Sequence, residues 1–213
     1  MSLSIDKATE SVKRHYNSIA SFYDFVMFVS ERSKITKWRK LQWSRVEGRR
    51  ILEVGVGTGR NFPYYPADAE ITAIDLSEKM LARARRKALK QNIRVSLRLM
   101  DVQALVFADN SFDTVVGSLV FCSVPDPIRG LAEVRRVCKP GGKVVLLEHV
   151  LSDRPAVARF MNLMNPMTYR MVGEYINRRT VEDVARSGLA VENVTRLTSI
   201  FRLIEARKSQ GVG

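Results

Sequence analysis

The chain has 213 residues, 46% of them apolar, enough for one domain with a full core and little room for a second. Its two cysteines form no Cys-x-x-Cys pair and no His/Cys cluster has metal-ligand spacing, which argues against a disulfide scaffold or a zinc centre and for a reducing cytosol. A formal charge of +13 calls for an anionic partner: nucleic acid, an acidic membrane surface or an acidic substrate.

Residues 4–47 contain no proline or glycine and read as helical. The opening stretch to Lys13 is too polar for a signal peptide. Residues 18–29 are apolar and aromatic, but no stretch reaches the roughly 18–20 apolar residues that span a bilayer. Tyr16 and Tyr23 are seven apart and share a helical face, either as part of a cover or as ordinary core aromatics. His15 falls on another face and reads as a surface residue. From Ile51 the pattern turns to strand–helix alternation, with strands at 51–54, 71–75, 94–99, 112–120 and 143–150. Such repetition implies a parallel sheet with helices on both faces. Pro140-Gly141-Gly142 reads as a turn before the last of these strands. Residues 155–176 hold four methionines and few strand formers, and read as an inserted helix or lid. Thr180 starts a helix capped by its own hydroxyl, with Asp183 at the third position. Segments 191–197 and 201–206 form a terminal hairpin. The expected organisation is one α/β domain over 1–213, with a helical cover at 1–47 and a core at 48–208.

Ile51-Leu52-Glu53-Val54-Gly55-Val56-Gly57-Thr58-Gly59 is an apolar strand that ends in an acid and runs into three alternating glycines. The glycines let the backbone pass beneath a ligand, and the helix that follows offers free N–H groups there. The third glycine comes one residue earlier than in a dinucleotide fingerprint. An acid at 53 would repel a pyrophosphate but suits a ligand with an ammonium end. Asp75 closes the second strand where a ribose diol is usually gripped. Asp101 closes the third, placed to accept from an exocyclic amine. Any one of these acids could merely cap a helix; three in succession after the glycines make that reading hard to sustain.

With these segments the chain resembles the class I S-adenosylmethionine-dependent methyltransferases. The match runs through 52–59, Ala73-Ile74-Asp75-Leu76-Ser77-Glu78-Lys79-Met80-Leu81, Met100-Asp101-Val102 and Ser111-Phe112-Asp113-Thr114-Val115-Val116, then 131–142. The resemblance implies a Rossmann-like three-layer sandwich: a mostly parallel seven-stranded sheet, a C-terminal antiparallel hairpin strand and an N-terminal helical cover. It implies S-adenosylmethionine as cofactor and no metal. Glu53 would face the methionine ammonium, Gly55, Gly57 and Gly59 would give the backbone approach, and Asp75 would bind the ribose. Leu76 and Met80 would flank the adenine, with Asp101 and Val102 at its amine edge. Gly117, Ser118 and Leu119 would face the methyl group and the acceptor. Members sharing the pattern from Tyr16 to Asp24 use that helix as a cover over the cofactor.

Residues 57–66 and 119–127 are similar to bacterial phosphatidylethanolamine N-methyltransferases and membrane-associated alkyl thiol methyltransferases, and quinone C-methyltransferases belong to the same branch. An amphiphilic acceptor follows, delivered from an anionic membrane to which a cytoplasmic protein attaches peripherally. Basic residues gather between Lys34 and Arg50 and between Lys79 and Lys90. They could equally form a solvated face. No aromatic residues interleave with them as a nucleic-acid platform would need, so no nucleic acid is expected. His149, at the fifth strand's carboxyl end, is the candidate general base or a structural histidine, with Tyr16 and Tyr23 the other candidates to accept a proton from the acceptor. Arg178 and Arg179 could grip a lipid phosphate or stand solvated. The reading of another class is a methyltransferase-fold protein whose role is binding, against which the intact set of cofactor acids speaks.

Overall fold

The computed structural model describes residues 7–30 and 34–210, and for 19–30, 171 and 172 the backbone alone. The apolar runs become buried strands because helices cover both of their faces. In Arg50–Val54 (β1), consecutive residues point opposite ways. Ile51 packs with Ile71, Val116 and Trp43, while Leu52 packs with Val115, Leu131 and Leu146. Trp43 belongs to Lys34–Trp43 (α2) and Leu131 to Pro127–Val137 (α4), so these helices lie on opposite faces of the sheet.

The remaining strands are Glu70–Asp75 (β2), Ser96–Leu99 (β3), Phe112–Ser118 (β4), Cys138–His149 (β5), Ala190–Arg196 (β6) and Phe201–Arg207 (β7). They form a seven-stranded sheet in the order β3-β2-β1-β4-β5-β7-β6. Every pair from β3 to β5 is parallel, and β7 runs antiparallel to both β5 and β6. This is the expected Rossmann-like sheet with its C-terminal hairpin. The order reverses at β1 and β4, which places a crevice at the carboxyl ends of these strands. Lys7–Ser30 (α1) crosses over that edge and packs against Glu78–Lys90 (α3).

Several local expectations are corrected. The helical stretch expected at 4–47 is two helices, α1 and α2, with 31–33 outside the described residues. β3 begins at Ser96 rather than 94. β4 stops at Ser118 because Leu119 adopts a left-handed backbone, φ 59°. Pro140-Gly141-Gly142 is a bulge inside β5, not a turn before it. Cys138 pairs with Phe112 and Lys143 with Thr114, so β5 carries five steps against two on β4. Thr180 opens Thr180–Arg186 (α6), but Arg179 is the N-cap and no side chain caps that end. His15 is half-buried rather than exposed, lying against Gly173. No helix among the described residues is long and apolar enough to cross a membrane.

Candidate active site

The crevice is an open cleft walled by the carboxyl ends of β1, β2 and β4 and by α1. Gly57 stands on its floor at φ +54°, and a Cβ built there would meet nothing within 4 Å. That empty space is room for a ligand lying on the backbone. Gly55, at φ +66°, serves packing instead: a Cβ there would come within 2.5 Å of Val120 Cγ2. Gly59 does not line the cleft and abuts the Phe62 ring.

Asp75 is held by the backbone. The Gly57 and Ser77 N–H groups each donate to one of its carboxylate oxygens, both at 2.8 Å. Burial pushes its pKa up to about 6 against the pull of these bonds. Beside it, Ser77 caps α3 by accepting from Met80 N–H at 3.2 Å. Asn17 of α1 completes the cap, its Oδ1 accepting from the Ser77 hydroxyl at 2.6 Å and from Lys79 N–H at 3.2 Å. The far end of the cleft is lined by Leu76, Met80, Asp101 and Val102. There Gln103 donates to Asp101 Oδ2 at 3.0 Å and to Thr9 Oγ1 of α1 at 3.1 Å. Its Oε1 accepts from Asp126 N–H at 2.9 Å.

Glu53 lies beneath the cleft rather than in its wall, only 1% exposed. Its carboxyl group accepts from the Tyr65 hydroxyl and, at 2.7 Å, from Asn61 Nδ2. Burial raises its pKa to about 7, and these two hydrogen bonds oppose the rise. Asn61 in turn accepts from Arg39 Nη1 at 2.8 Å and donates to Ser118 Oγ at 3.0 Å. The Ser118 hydroxyl donates to Gln42 Oε1 at 2.6 Å, and Gln42 Nε2 donates to the Gly117 carbonyl at 2.7 Å. Glu53 therefore reaches the cleft through Ser118, which lines it; Gly117 does not.

At the other end the wall is Tyr16, Leu119, Val120, Ser123 and Val124. The Tyr16 hydroxyl donates to Glu174 Oε1 at 3.0 Å. Burial raises the Glu174 pKa, and the Tyr16 bond partly offsets it. Glu148 is fully buried behind Val120, whose N–H donates to its Oε1 at 3.0 Å, and its Oε2 has no hydrogen-bond partner among the described residues. Burial, with the neighbouring Glu174 charge adding, pushes its pKa up to about 7.

His149 is not part of this wall. Consecutive strand residues face opposite ways, so with Glu148 turned toward the 120–121 loop, His149 turns to Phe201, with ring centroids 5.3 Å apart. Burial lowers its pKa. Arg178 is spent internally: it donates to the Val124 carbonyl at 2.7 Å and lies over the Tyr175 ring. Arg179 is exposed, 4.0 Å from Glu182. The Tyr23 side chain lies outside the described residues.

Gln103, Asn17, Asn61, Tyr65 and Glu174 escaped the sequence reading, which had no local pattern to find them. Glu148 had one: an acid at a strand's carboxyl end, the signal that picked out Glu53 and Asp75.

An α/β sheet with a cleft at its switch point, glycine on the floor and an acid at the carboxyl end of each of the first two strands fits an enzyme that binds a nucleoside cofactor. A methyltransferase-domain family model matches residues 52–146. The phosphatidylethanolamine N-methyltransferase of Cereibacter sphaeroides is 38% identical over 164 residues, covering 73% of this chain and 79% of that one. A demethylmenaquinone methyltransferase of Renibacterium salmoninarum is 33% identical, covering 82% and 73%. A thiol S-methyltransferase of Homo sapiens is 33% identical, covering 77% and 73%. Among solved structures, a SAM-dependent methyltransferase from Aquifex aeolicus shares the fold, with TM-score 0.64 at 18% identity over 90% of this chain and 98% of that one. The chain belongs to the S-adenosylmethionine-dependent methyltransferases, and S-adenosylmethionine is its cofactor. The residues fit that group: Gly57 leaves the space, Asp75 offers acceptors for a diol, and Asp101 lines the far end.

Proposed function

We propose that the protein methylates an amphiphilic amine, the headgroup of phosphatidylethanolamine, at an anionic membrane surface. S-adenosylmethionine supplies an electrophilic methyl group on a sulfonium, so the chain's work is to place the acceptor, exclude water and take up a proton. The observation that carries the amine over a thiol or a quinone ring is the pair of acids, buried Glu148 and half-buried Glu174, behind the acceptor end of the cleft. Thiols and quinols react as anions, which acids at that end would disfavour; an ammonium there favours the ionised form of the acids and is stabilised by it in turn. The similarity to the Cereibacter sphaeroides enzyme supports the same choice.

An ethanolamine nitrogen is protonated near neutral pH and must lose a proton before it attacks. Tyr16, in the cleft wall and bonded to Glu174, offers the path: the nitrogen's proton passes to the tyrosine oxygen as the hydroxyl proton moves to the carboxylate. The α1 helix that carries Tyr16 acts as a cover, closing the cleft against water.

Mass spectrometry of products from isotope-labelled cofactor, with phosphatidylethanolamine vesicles, a long-chain thiol and a quinol offered together, tests this reading. The expected product is the N-methylated phospholipid. Glu174→Gln should lower turnover by about 100-fold or more while cofactor affinity changes little. Methylated thiol or quinol without methylated lipid overturns the proposal.

A further inference from the structure

We infer that the helix Pro155–Val172 (α5) is the surface on which the protein docks to an anionic bilayer. This rests on the lipid reading above and gives it a place on the molecule. Met161 anchors the helix, 5% exposed, yet the opposite side is apolar and uncovered. Phe160 is 61% exposed, Leu163 77% and Met167 49%. The spacing of three and four residues puts these side chains in one stripe along the helix. Outside this helix, the large apolar residues that stand exposed, such as Leu89, Val106 and Val194, fall on separate segments of the chain.

Charge selects the occupant. The helix contains no acidic residue, and its two charges, Arg159 and Arg170, are both exposed and border the stripe. The exposed Arg154 precedes it, and the whole chain carries +13. An apolar stripe with arginines along its edge suits a helix lying in the headgroup layer, its apolar side in the acyl boundary and its cations among anionic lipids. The position serves the chemistry. The helix ends at Gly173, followed by Glu174, the residue bonded to Tyr16 in the cleft wall. A bilayer under α5 therefore lies beside the acceptor end of the cleft.

Flotation of the full chain with vesicles of phosphatidylcholine and phosphatidylglycerol tests the inference. The triple variant Phe160→Ser, Leu163→Ser, Met167→Ser changes only exposed side chains, and circular dichroism checks its fold. Its partitioning should fall about 100-fold or more, because most of the apolar burial is lost. Replacing Arg159 or Arg170 by Gln should weaken binding about 5-fold each, and less at high salt. Cofactor affinity and methylation of a short-chain, monomeric phosphatidylethanolamine should stay unchanged in the triple variant. If the variant floats like the parent chain, or the stripe proves to join two copies in solution, the docking inference is wrong. If the parent chain floats but never methylates the monomeric lipid, the substrate reading fails and the docking surface stands.

Discussion

At its cofactor end the cleft is held by backbone: Gly57 and Ser77 N–H groups fix Asp75, and a capped helix lies behind them. At its acceptor end the contacts are side chain to side chain, from segments far apart in sequence: Tyr16 to Glu174 across 158 positions, and Glu148 reaching the loop after β4. A site held by backbone is preorganised by the fold and tolerates little change. A site assembled from distant side chains can be reshaped by single substitutions.

The strongest test of this contrast is Asp75→Ala, which would remove the charge-assisted hydrogen bonds that we propose for the ribose. Calorimetry should show cofactor binding weakened by about 2–4 kcal/mol; unchanged affinity would put the ribose elsewhere. Next come the two glycines. Gly55→Ala forces a methyl group into Val120 and should cost about 2–3 kcal/mol of stability in chemical denaturation. Gly57→Ala points into open space, so it should cost about 1–2 kcal/mol of stability while weakening the cofactor more than Gly55→Ala does.

The pH dependence separates the cofactor end from its surroundings. A diol donates to an ionised carboxylate, so cofactor affinity should be full above pH 6 or so and fall about tenfold per unit below the pKa of Asp75, near 6. Asp75→Asn should bind weakly and without that slope. Unfolding does not mimic the effect. Glu53 and Glu148, with pKa values raised to about 7 from 4.5, bind protons more tightly in the folded chain. Their contribution to stability therefore grows as pH falls from 7 toward 4.5 and is lost as pH rises through 7. The smallest effect expected is for Asn17→Ala, which deletes a shared cap of α3. It should cost about 1 kcal/mol in thermal unfolding.

The cofactor end was legible in the sequence because its chemistry is local. Glycines at alternate positions dictate a turn, and a carboxylate at a strand's end stands at the sheet's edge whatever the rest of the chain does. Leu76, Met80, Asp101, Val102 and Ser118, named from the sequence, line the cleft. The seven strands were legible for the same reason, their boundaries less so where a bulge or a left-handed Leu119 intervened. The acceptor end was legible only in part: Tyr16, Ser118 and Leu119 were named for it and line the cleft. His149 was a reasonable choice by chemical type, but strand alternation turned it away from the site and left Glu148 facing it. Nothing near Glu174 in sequence announces that it will meet Tyr16.

Gln103 joins what the cleft otherwise keeps apart. One amide side chain binds the cover at Thr9, the carboxylate of Asp101 and the start of α4 at Asp126. A cofactor amine bonded to Asp101 would share that carboxylate with this same amide, which is tied in turn to the helix above and the loop beside it. Thermodynamic reciprocity then sets the terms: whatever factor the bound cofactor adds to acceptor affinity, the bound acceptor returns to the cofactor in full.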